Sequence, residues 1–326
     1  MDTTTTTSLQ VSAKQVNPTT SPLVSLHYDA LHLIIDLLTF HDKFMLSHTC
    51  RKLRSITFCN WQLELKRLPA ETRLEFWTQR AYNLPSKWVC ASCCKLHPVM
   101  PPDSASKFWR NCYSVTCSRD APAKIIASGY PPIYHHYVQL ALKYSRLRIN
   151  HTILEKLLAP SFDKTKSDCP SSCDGTYLRA CKIIDNRFLV KEQWSQGDEQ
   201  NYASRQTITS NFRRFCPHIA TLAGYDNTSP KVQVDVAAAF AMPGYEATGG
   251  CHHCLTDYSI LVTRNECTTV CLITTWRDFG TETCPDNLIW KSQVTHGGIN
   301  DGWNAYGIFH REMGSVRKLF MCDWVA

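Results

Sequence analysis

The sequence has no apolar run long enough to cross a membrane. A membrane-spanning helix needs about 20 mostly apolar residues, whereas the run from Leu31 to Leu38 is broken by His32 and Asp36. Residues 1–22 are rich in threonine and serine and contain no apolar segment of the kind found in secretory signals. We therefore expect a disordered tail over 1–22 and an intracellular protein, cytoplasmic or nuclear or both, that binds no membrane.

Signatures of common enzyme classes are absent as well. The sequence contains no G-x-x-x-x-G-K-[ST], no G-x-G-x-x-G after a strand, no G-x-S-x-G and no H-E-x-x-H. Cys251 beside His252 could be read as a nucleophile with its base, but adjacent side chains rarely face each other. These absences predict a protein that is not an enzyme.

Charge is spread along the chain and forms no long block of one sign. The formal net charge is +7, and the densest basic groups lie at 51–54 and 143–148. Neither group is a run of five or more charges. Solvated helical faces explain both groups better than a nucleic-acid contact does, so charge alone predicts no nucleic-acid partner.

The cysteine count is high and odd, at 17. In a chain without a secretory signal we expect reduced thiols, because disulfides persist mainly in oxidising compartments. The cysteines are then either metal ligands or small buried hydrophobic residues. The spacing of Cys169 with Cys173, and of Cys267 with Cys271, is loose and favours non-ligands.

The first group of closely spaced cysteines begins at a C-x-x-C knuckle. Such a knuckle presents two thiolates from one tight turn, and a second pair about twenty residues later can complete a tetrahedral zinc site. His97 could replace one ligand and Cys94 could shift the register, and buried free thiols are the alternative. The predicted zinc ligands are Cys90, Cys93, Cys112 and Cys117.

The second group combines a Cys-x-His pair with another C-x-x-C knuckle. Residues two apart point the same way on a strand, and Gly249 and Gly250 before the knuckle would free its turn. Because four ligands fill a tetrahedral site, it is expected to be structural rather than catalytic, again with free thiols as the alternative. The predicted zinc ligands are Cys216, His218, Cys251 and Cys254.

The periodicity of the sequence changes after about residue 160. Helical spacing dominates before it, and short segments with period two follow from residue 176. We therefore expect an α+β fold, with helices in front and a β-rich, mostly antiparallel C-terminal half. The predicted helices are Trp61–Arg80, interrupted at Pro69, and Tyr134–Leu158; a loop is predicted over Pro160–Gly175; the predicted strands are Lys182–Trp194, Val232–Val236, Tyr258–Thr263 and Cys267–Trp276.

Three short helices fit the stretch 25–56. Asp42 is a good N-cap for the second helix, and Thr49 can begin the third. The first helix carries two apolar stripes, one of Leu31, Ile34, Ile35 and Leu38, and one of Leu33 and Leu37. So small a unit cannot bury both stripes alone. We therefore expect one stripe to form the core of the unit and the other to bind a partner.

At these residues the stretch resembles an F-box. The most specific part runs from Leu46 to Ile56 and reads Leu-Ser-x-Thr-Cys-Arg-x-Leu-Arg-Ser-Ile. The family usually has proline after its initial leucine, at the first helical position. Here His27 follows Leu26, which weakens the preset entry to the helix but keeps the rest of the pattern.

Beyond this stretch the chain resembles F-box proteins of filamentous fungi. The motifs, in order, are Trp88-x-Cys90-x-x-Cys93-x-x-Leu96-His97-Pro98, Ile183-Ile184-Asp185-Asn186-Arg187-Phe188, Cys216-Pro217-His218, Cys251-x-x-Cys254-x-Thr256-Asp257-Tyr258, Trp276-x-Asp278-Phe279-Gly280 and Gly314-Ser315-Val316-Arg317. The predicted organisation is a tail over 1–22, an F-box over 23–57, a helical and cysteine-rich region over 58–160 and a β-rich substrate-recognition region over 161–326.

The resemblance implies a substrate-recognition subunit of a Skp–cullin–F-box ubiquitin ligase. Such a subunit is a non-catalytic adaptor that binds an acidic Skp-type adaptor, and through it a cullin, and holds a protein substrate, here unknown, near the catalytic subunits. The alternative is a zinc-stabilised nucleic-acid-binding or interaction protein that joins no ligase. The residues expected to contact the Skp-type adaptor are Leu26, His27, Ile34, Leu37 and Leu38.

One further partner is suggested by Pro131-Pro132-Ile133-Tyr134, which matches a ligand motif of WW domains. Recognition by a WW domain needs an exposed polyproline segment. A turn that precedes the helix beginning near Tyr134 is the favoured interpretation of the same residues.

Overall fold

A computed structural model describes residues 22–91, 93–99, 133–165, 175–198, 214–220, 230–266, 268–293 and 312–322. Within these ranges the fold is α+β and every paired strand is antiparallel, which confirms the predicted fold class. The chain forms two compact units, Met1–Leu68 and Pro69–Ala326. The predicted tail, the predicted ligands Cys112 and Cys117, and the proline pair Pro131-Pro132 lie outside the described residues.

The first unit is helical in its described part. The sides of α2 and α4 that carry Leu31, Ile35 and Leu53 form a small buried core. Leu31 and Ile35 are four residues apart, so they lie on one face of their helix. The helices are α1 (Pro22–Ser25), α2 (Tyr28–Leu37), α3 (Phe40–Ser47), α4 (Arg51–Ile56) and α5 (Trp61–Arg67).

Both predicted helix starts in this unit are wrong, the first by three residues and the second by one. Thr39, not Asp42, is the N-cap of α3: its hydroxyl oxygen accepts a hydrogen bond from the Asp42 N–H at 3.1 Å and donates to the Asp42 carboxylate at 2.7 Å. Asp42 therefore closes a reciprocal cap from the third helical position. Cys50, not Thr49, is the N-cap of α4, with its sulfur accepting from Leu53 N–H at 3.5 Å.

An aromatic contact adds α5 to the first unit. The Trp61 ring meets the rings of Phe40 and Phe44 edge-on, each with a centroid separation of 5.3 Å. Edge-to-face pairs of this kind contribute about 0.5–1.5 kcal/mol beyond the burial of their area. The compact unit therefore extends beyond residue 57 and includes α5.

The second unit is built on a six-stranded antiparallel sheet in the order β3-β4-β5-β10-β9-β8, with two separate hairpins, β1-β2 and β6-β7. Its strands are β1 (Lys87–Cys90), β2 (Lys95–Pro98), β3 (Ser161–Thr165), β4 (Gly175–Ile184), β5 (Arg187–Asp198), β6 (Arg214–Cys216), β7 (Ile219–Ala220), β8 (Glu246–Gly250), β9 (Thr256–Arg264) and β10 (Thr269–Asp278). Its helices are α6 (Ala70–Tyr82), α7 (His135–Leu147), α8 (His151–Leu158), α9 (Pro230–Ala241), α10 (Leu288–Gln293) and α11 (Ser315–Met321).

The segment Val232–Val236, predicted as a strand, is part of helix α9. The alternation of valines suggested a period of two, but Val232 and Val236 are also four residues apart. Both are buried together with Ala239, whereas Val234 is 65% exposed, so the burial follows the helical period. The local pattern is compatible with a strand and with a helix. In the folded chain Val232, Val236 and Ala239 pack against apolar residues of the sheet, which favours the helix.

Three other predicted segments differ from the structure. The predicted strand Lys182–Trp194 is the hairpin β4-β5, which reverses at Asp185 and Asn186, both with positive φ, as two-residue hairpin turns require. The predicted helix Tyr134–Leu158 is interrupted between α7 and α8, where Arg148 and Asn150 adopt the left-handed conformation. The loop predicted from Pro160 contains β3.

A group of buried charges joins the middle strands of the sheet. The Glu192 carboxylate on β5 accepts hydrogen bonds from Arg179 on β4 at 2.9 Å, from Arg277 on β10 at 3.2 Å and from the Tyr177 hydroxyl at 2.6 Å. Burial raises the pKa of Glu192, but the two guanidinium groups outweigh it and hold this pKa below its ordinary value. Removing one member would leave an uncompensated charge in the core.

The buried ammonium of Lys143 on α7 provides a pH test of the fold. Its Nζ donates to the carbonyl oxygens of Lys87 at 2.8 Å and Leu84 at 3.3 Å. Burial lowers the pKa of Lys143 from 10.5 to about 8. The unfolded chain therefore binds more protons than the folded one between these pH values, and the free energy of unfolding should rise with pH across this window, by up to about 3 kcal/mol.

Urea unfolding of the wild type and of Lys143→Met at pH 8 and pH 10.5 measures this contribution. Methionine does not titrate, so the rise should be smaller in the variant, and the difference between the two pH profiles belongs to Lys143. Parallel profiles for the two proteins would show that the folded environment leaves this lysine unchanged.

Candidate functional site

The hairpin β1-β2 brings three predicted or alternative metal ligands together. We call Cys90, Cys93 and His97 the hairpin cluster; their ligand atoms lie within 4.8 Å of one another. The Cys93 sulfur is 3.1 Å from His97 Nε2. Cys90 ends β1 and His97 lies on β2, so the C-x-x-C knuckle is the connection between two paired strands.

Local geometry explains why the chain reverses there. Cys94 has a φ of +50° and its N–H donates to the Cys90 carbonyl oxygen at 3.0 Å, which closes the turn. Trp88 faces His97 across the hairpin, and their rings stack at a centroid distance of 4.7 Å. Burial, followed by the nearby Lys95 charge, lowers the pKa of His97 and favours the neutral imidazole that metals bind.

These contacts decide between the ligand registers that the sequence left open. Cys93, not Cys94, joins Cys90, because Cys94 packs instead against the apolar cluster of Leu74, Ala81 and Val89. His97 is the third member of the hairpin cluster. The other two predicted ligands of this group, Cys112 and Cys117, lie outside the described residues.

The four ligands predicted for the second group come together from two separate hairpins. We call Cys216, His218, Cys251 and Cys254 the four-residue cluster; their ligand atoms all lie within 4.8 Å of one another. Cys216 and Cys254 are buried and the other two are partly exposed. The Cys216 sulfur is 4.0 Å from His218 Nδ1.

The backbone around the four-residue cluster differs from the predicted one. Cys216 ends β6, and His218 lies in the turn that leads to β7, so the pair is presented by a turn and not by one face of a strand. The second knuckle connects β8 to β9. Its turn is closed by hydrogen bonds from Cys251 N–H to the Thr256 carbonyl oxygen and from Thr256 N–H to the Cys254 carbonyl oxygen, both 2.8 Å.

The two glycines before this knuckle lie in strand β8 and not in the turn they were predicted to free. A Cβ atom at Gly249 would stand 2.3 Å from the Tyr258 hydroxyl oxygen on the paired strand. That hydroxyl donates to the Asp235 carboxylate on α9 at 2.6 Å, so it cannot simply move aside. Gly249 is therefore required by the close approach of a side chain.

The electrostatics of the four-residue cluster are those of crowded sulfurs. Burial raises the pKa of Cys216 and of Cys254, whereas hydrogen bonds from these two thiols lower the pKa of Cys251. The Cys251 sulfur also accepts the His253 N–H at 3.3 Å. Thiolates are the ligand form of cysteine, and a bound cation would replace the protons for which these sulfurs compete.

Two other buried cysteines, Cys181 and Cys271, belong to neither cluster among the described residues. Cys181 packs in the cluster of α7 and α8, and Cys271 packs in the cluster under α9. Burial raises the pKa of each thiol to about 12, so both remain protonated. Cys271, predicted to be a non-ligand, belongs to neither cluster of described residues, and Cys169, Cys173 and Cys267 lie outside the described residues.

The residues predicted to contact a Skp-type adaptor are mostly on the surface of the first unit. Leu26, His27, Ile34 and Leu37 are exposed, and Leu37 is 88% exposed, whereas Leu38 is half-buried. Leu33, omitted from the predicted contacts, is 69% exposed. Its spacing of four residues from Leu37 in the second apolar stripe was the sequence signal for including it.

The His27 backbone bears on the missing proline of the F-box pattern. His27 is the N-cap of α2, with φ −57° and no hydrogen bond from its side chain to the helix. This φ lies within the range that a proline ring fixes, about −65 ± 15°. The entry to the helix therefore has the backbone angle that proline would impose.

The chain has no match among family models, among curated proteins or among solved structures. Among the described helices, none has both the length and the apolar composition needed to cross a membrane.

Proposed function

We propose that the chain is an F-box-type substrate-recognition subunit of a Skp–cullin–F-box ubiquitin ligase. In this proposal the first unit binds the Skp-type adaptor, and the second unit binds a protein substrate. The chain itself is non-catalytic, because holding the substrate near the catalytic subunits is sufficient to accelerate transfer.

The observation that carries the proposal is the second apolar stripe of α2. Leu31 and Ile35 fill the core of the first unit, while Leu33 and Leu37 on another side of the same helix are exposed to solvent. Phe58, after α4, is 81% exposed. Several large apolar side chains exposed on so small a unit are typical of an interaction surface.

The charges on α4 support the choice of partner. Three basic residues are exposed on this helix, namely Arg51, Lys52 and Arg54, and α4 contains no acidic residue. An acidic adaptor, as the F-box resemblance implies, would be attracted by this basic side, and charge complementarity mainly raises the rate and selectivity of association.

Co-purification with a recombinant Skp-type adaptor tests the proposal. We expect a 1:1 complex on size-exclusion chromatography with the full chain. A folded chain that leaves the adaptor free at micromolar concentrations would contradict the proposal, and a salt-dependent affinity for nucleic acid in its place would favour the alternative function.

The second part of the proposal is that both clusters bind zinc as a structural ion. Three thiolates and one imidazole form a donor set typical of closed zinc sites, and the four-residue cluster has that composition. The hairpin cluster supplies two cysteines and one histidine, and Cys112 or Cys117 would supply its fourth ligand.

Metal analysis of the reduced protein, purified without a metal-affinity column, should give about two zinc ions per chain. Cys93→Ser should lower the content by one ion, and the double variant Cys112→Ser/Cys117→Ser should do the same if that segment completes the hairpin cluster. Cys94→Ser is the matched control and should retain both ions. A folded wild type with no zinc would contradict this part of the proposal.

A further inference from the structure

The four-residue cluster has one partly exposed cysteine beside two buried ones. Cys216 and Cys254 are buried, but Cys251 is partly exposed, and all three sulfurs lie within 4.8 Å of one another. Cys251 and Cys254 also belong to one C-x-x-C turn, the spacing at which two sulfurs of one turn can form a disulfide. The cluster thus combines a point of attack for an oxidant with an adjacent sulfur that can react next.

The same turn is connected to helix α11 through Asp257. Asp257 lies three residues after Cys254. Its carboxylate accepts hydrogen bonds from the N–H groups of Gly314 at 3.1 Å, Val316 at 2.7 Å and Arg317 at 2.9 Å. These bonds satisfy N–H groups that the start of a helix leaves without intrahelical partners. A change in the knuckle would therefore act beside the residue that holds the start of α11.

We propose that the four-residue cluster is a redox-sensitive switch, in which a peroxide converts Cys251 and Cys254 into a disulfide, the metal ion leaves, and α11 loosens. This inference rests on metal binding at the cluster. It adds an input to the substrate-recognition unit that the F-box proposal does not contain.

The chemistry balances with hydrogen peroxide as the oxidant. The Cys251 thiolate attacks one peroxide oxygen, the O–O bond breaks, and a sulfenic acid and hydroxide form. The Cys254 thiolate then attacks the Cys251 sulfur, the S–O bond breaks, and the oxygen leaves as water after taking up a proton. Two sulfurs lose two electrons in total, two water molecules form once the hydroxide is protonated, and two metal–sulfur bonds are lost.

The pairing of Cys251 with Cys254, and not with Cys216, determines the structural consequence. A disulfide between Cys216 and Cys251 would keep the β6-β7 hairpin attached to the sheet. A disulfide within the knuckle leaves Cys216 and His218 as two ligands only, which cannot retain a tetrahedral ion. The metal link between the β6-β7 hairpin and the knuckle is then lost, and we expect the start of β9 at Asp257 to become less constrained.

The test uses the full-length, reduced, zinc-loaded protein treated with hydrogen peroxide. Zinc release is followed with a chromogenic chelator, and disulfides are located by peptide mass mapping. We expect the release of one zinc to accompany the Cys251–Cys254 disulfide, and a dithiol reductant to restore zinc binding. Hydrogen exchange should show lost protection at the amides of Val316 and Arg317 in the oxidised protein.

Cys251→His is the matched variant, because imidazole can replace a thiolate as a zinc ligand but cannot form a disulfide. It should bind zinc and release it from this cluster at least about tenfold more slowly under peroxide. Cys254→His serves the same purpose if the first variant does not fold.

The outcomes separate the switch from the metal site. Zinc that stays bound under peroxide, or that leaves the histidine variant at the wild-type rate, would overturn the switch while metal binding stands. Zinc release with unchanged protection of Val316 and Arg317 would overturn the link to α11. A reduced wild type without zinc at this cluster would overturn both the metal site and the switch.

Discussion

Replacement of Cys251 by serine is expected to remove one zinc ion and to expose the β-rich region of the second unit to protease. The four-residue cluster joins the β6-β7 hairpin to the β8-β9 connection, and more than thirty residues separate Cys216 from Cys251 in the chain. Closing so long a loop costs conformational entropy, which the metal bonds offset. Without them the contacts of the β6-β7 hairpin with the apolar cluster of the sheet would have to offset this cost.

The expected size of this effect follows from the energy of structural zinc. Such sites bind with an apparent free energy of about 10–16 kcal/mol, as large as the total stability of a typical domain, about 5–15 kcal/mol. Binding energy at a site that exists only in the folded state is folding energy. Loss of one thiolate should therefore expose the β-rich region to protease at temperatures where the wild type resists it.

Limited proteolysis and metal analysis together measure this prediction. Cys271→Ser is the matched control, because Cys271 is a buried cysteine of the same sheet that lies outside both ligand clusters. That control should cost about 1–3 kcal/mol for a buried hydroxyl but keep the full zinc content. Identical proteolysis of Cys251→Ser and wild type would mean that the cluster does not hold the hairpins together.

The double variant Leu33→Asp/Leu37→Asp is expected to abolish binding of a Skp-type adaptor. Both side chains are exposed in the free chain, so the introduced carboxylates remain hydrated and stability should change little. In a complex the carboxylates would be buried against an apolar surface, at a cost of several kcal/mol. Because 1.4 kcal/mol corresponds to a factor of ten, the dissociation constant should rise more than about 100-fold.

Calorimetric titration of the folded variant with the adaptor measures the loss. Leu288→Asp is the control, since Leu288 is also an exposed leucine on a helix, α10 of the second unit, and should leave the affinity unchanged. Leu38 is less suitable than Leu33, because it is half-buried and an aspartate there would also reduce stability. Wild-type affinity in the folded double variant would rule out this stripe as the adaptor contact.

The adaptor variant also tests the independence of the two units. Cys251→Ser should still bind the adaptor, because α1 to α5 form a compact unit with its own core of Leu31, Ile35 and Leu53. Loss of both adaptor binding and zinc binding in either of these two variants would show that the units fold as one. The two variants therefore separate adaptor binding from metal-dependent folding.

The local spacing of residues was sufficient to predict part of this structure. It predicted the α+β class, both C-x-x-C turns and the two apolar stripes of α2, because each depends on residues a few positions apart. It also grouped the four residues whose ligand atoms lie within 4.8 Å in the four-residue cluster. Local spacing failed at Val232–Val236, where a period of two and a period of four coincide and only neighbouring structure distinguishes strand from helix.

Other features were decided by tertiary structure alone. His97 joins Cys90 and Cys93 because β2 pairs with β1 in a register that sets Trp88 opposite it, and Cys94 is drawn into a different apolar cluster. The ion group around Glu192 needs Arg179 and Arg277 from two other strands, which no periodicity of β5 predicts. The sequence by itself determined which residues could bind metal or present an apolar face, since those properties are chemical and local. Only the folded chain determined which of them meet, because contact between distant residues depends on strand register and on which buried surfaces pack together.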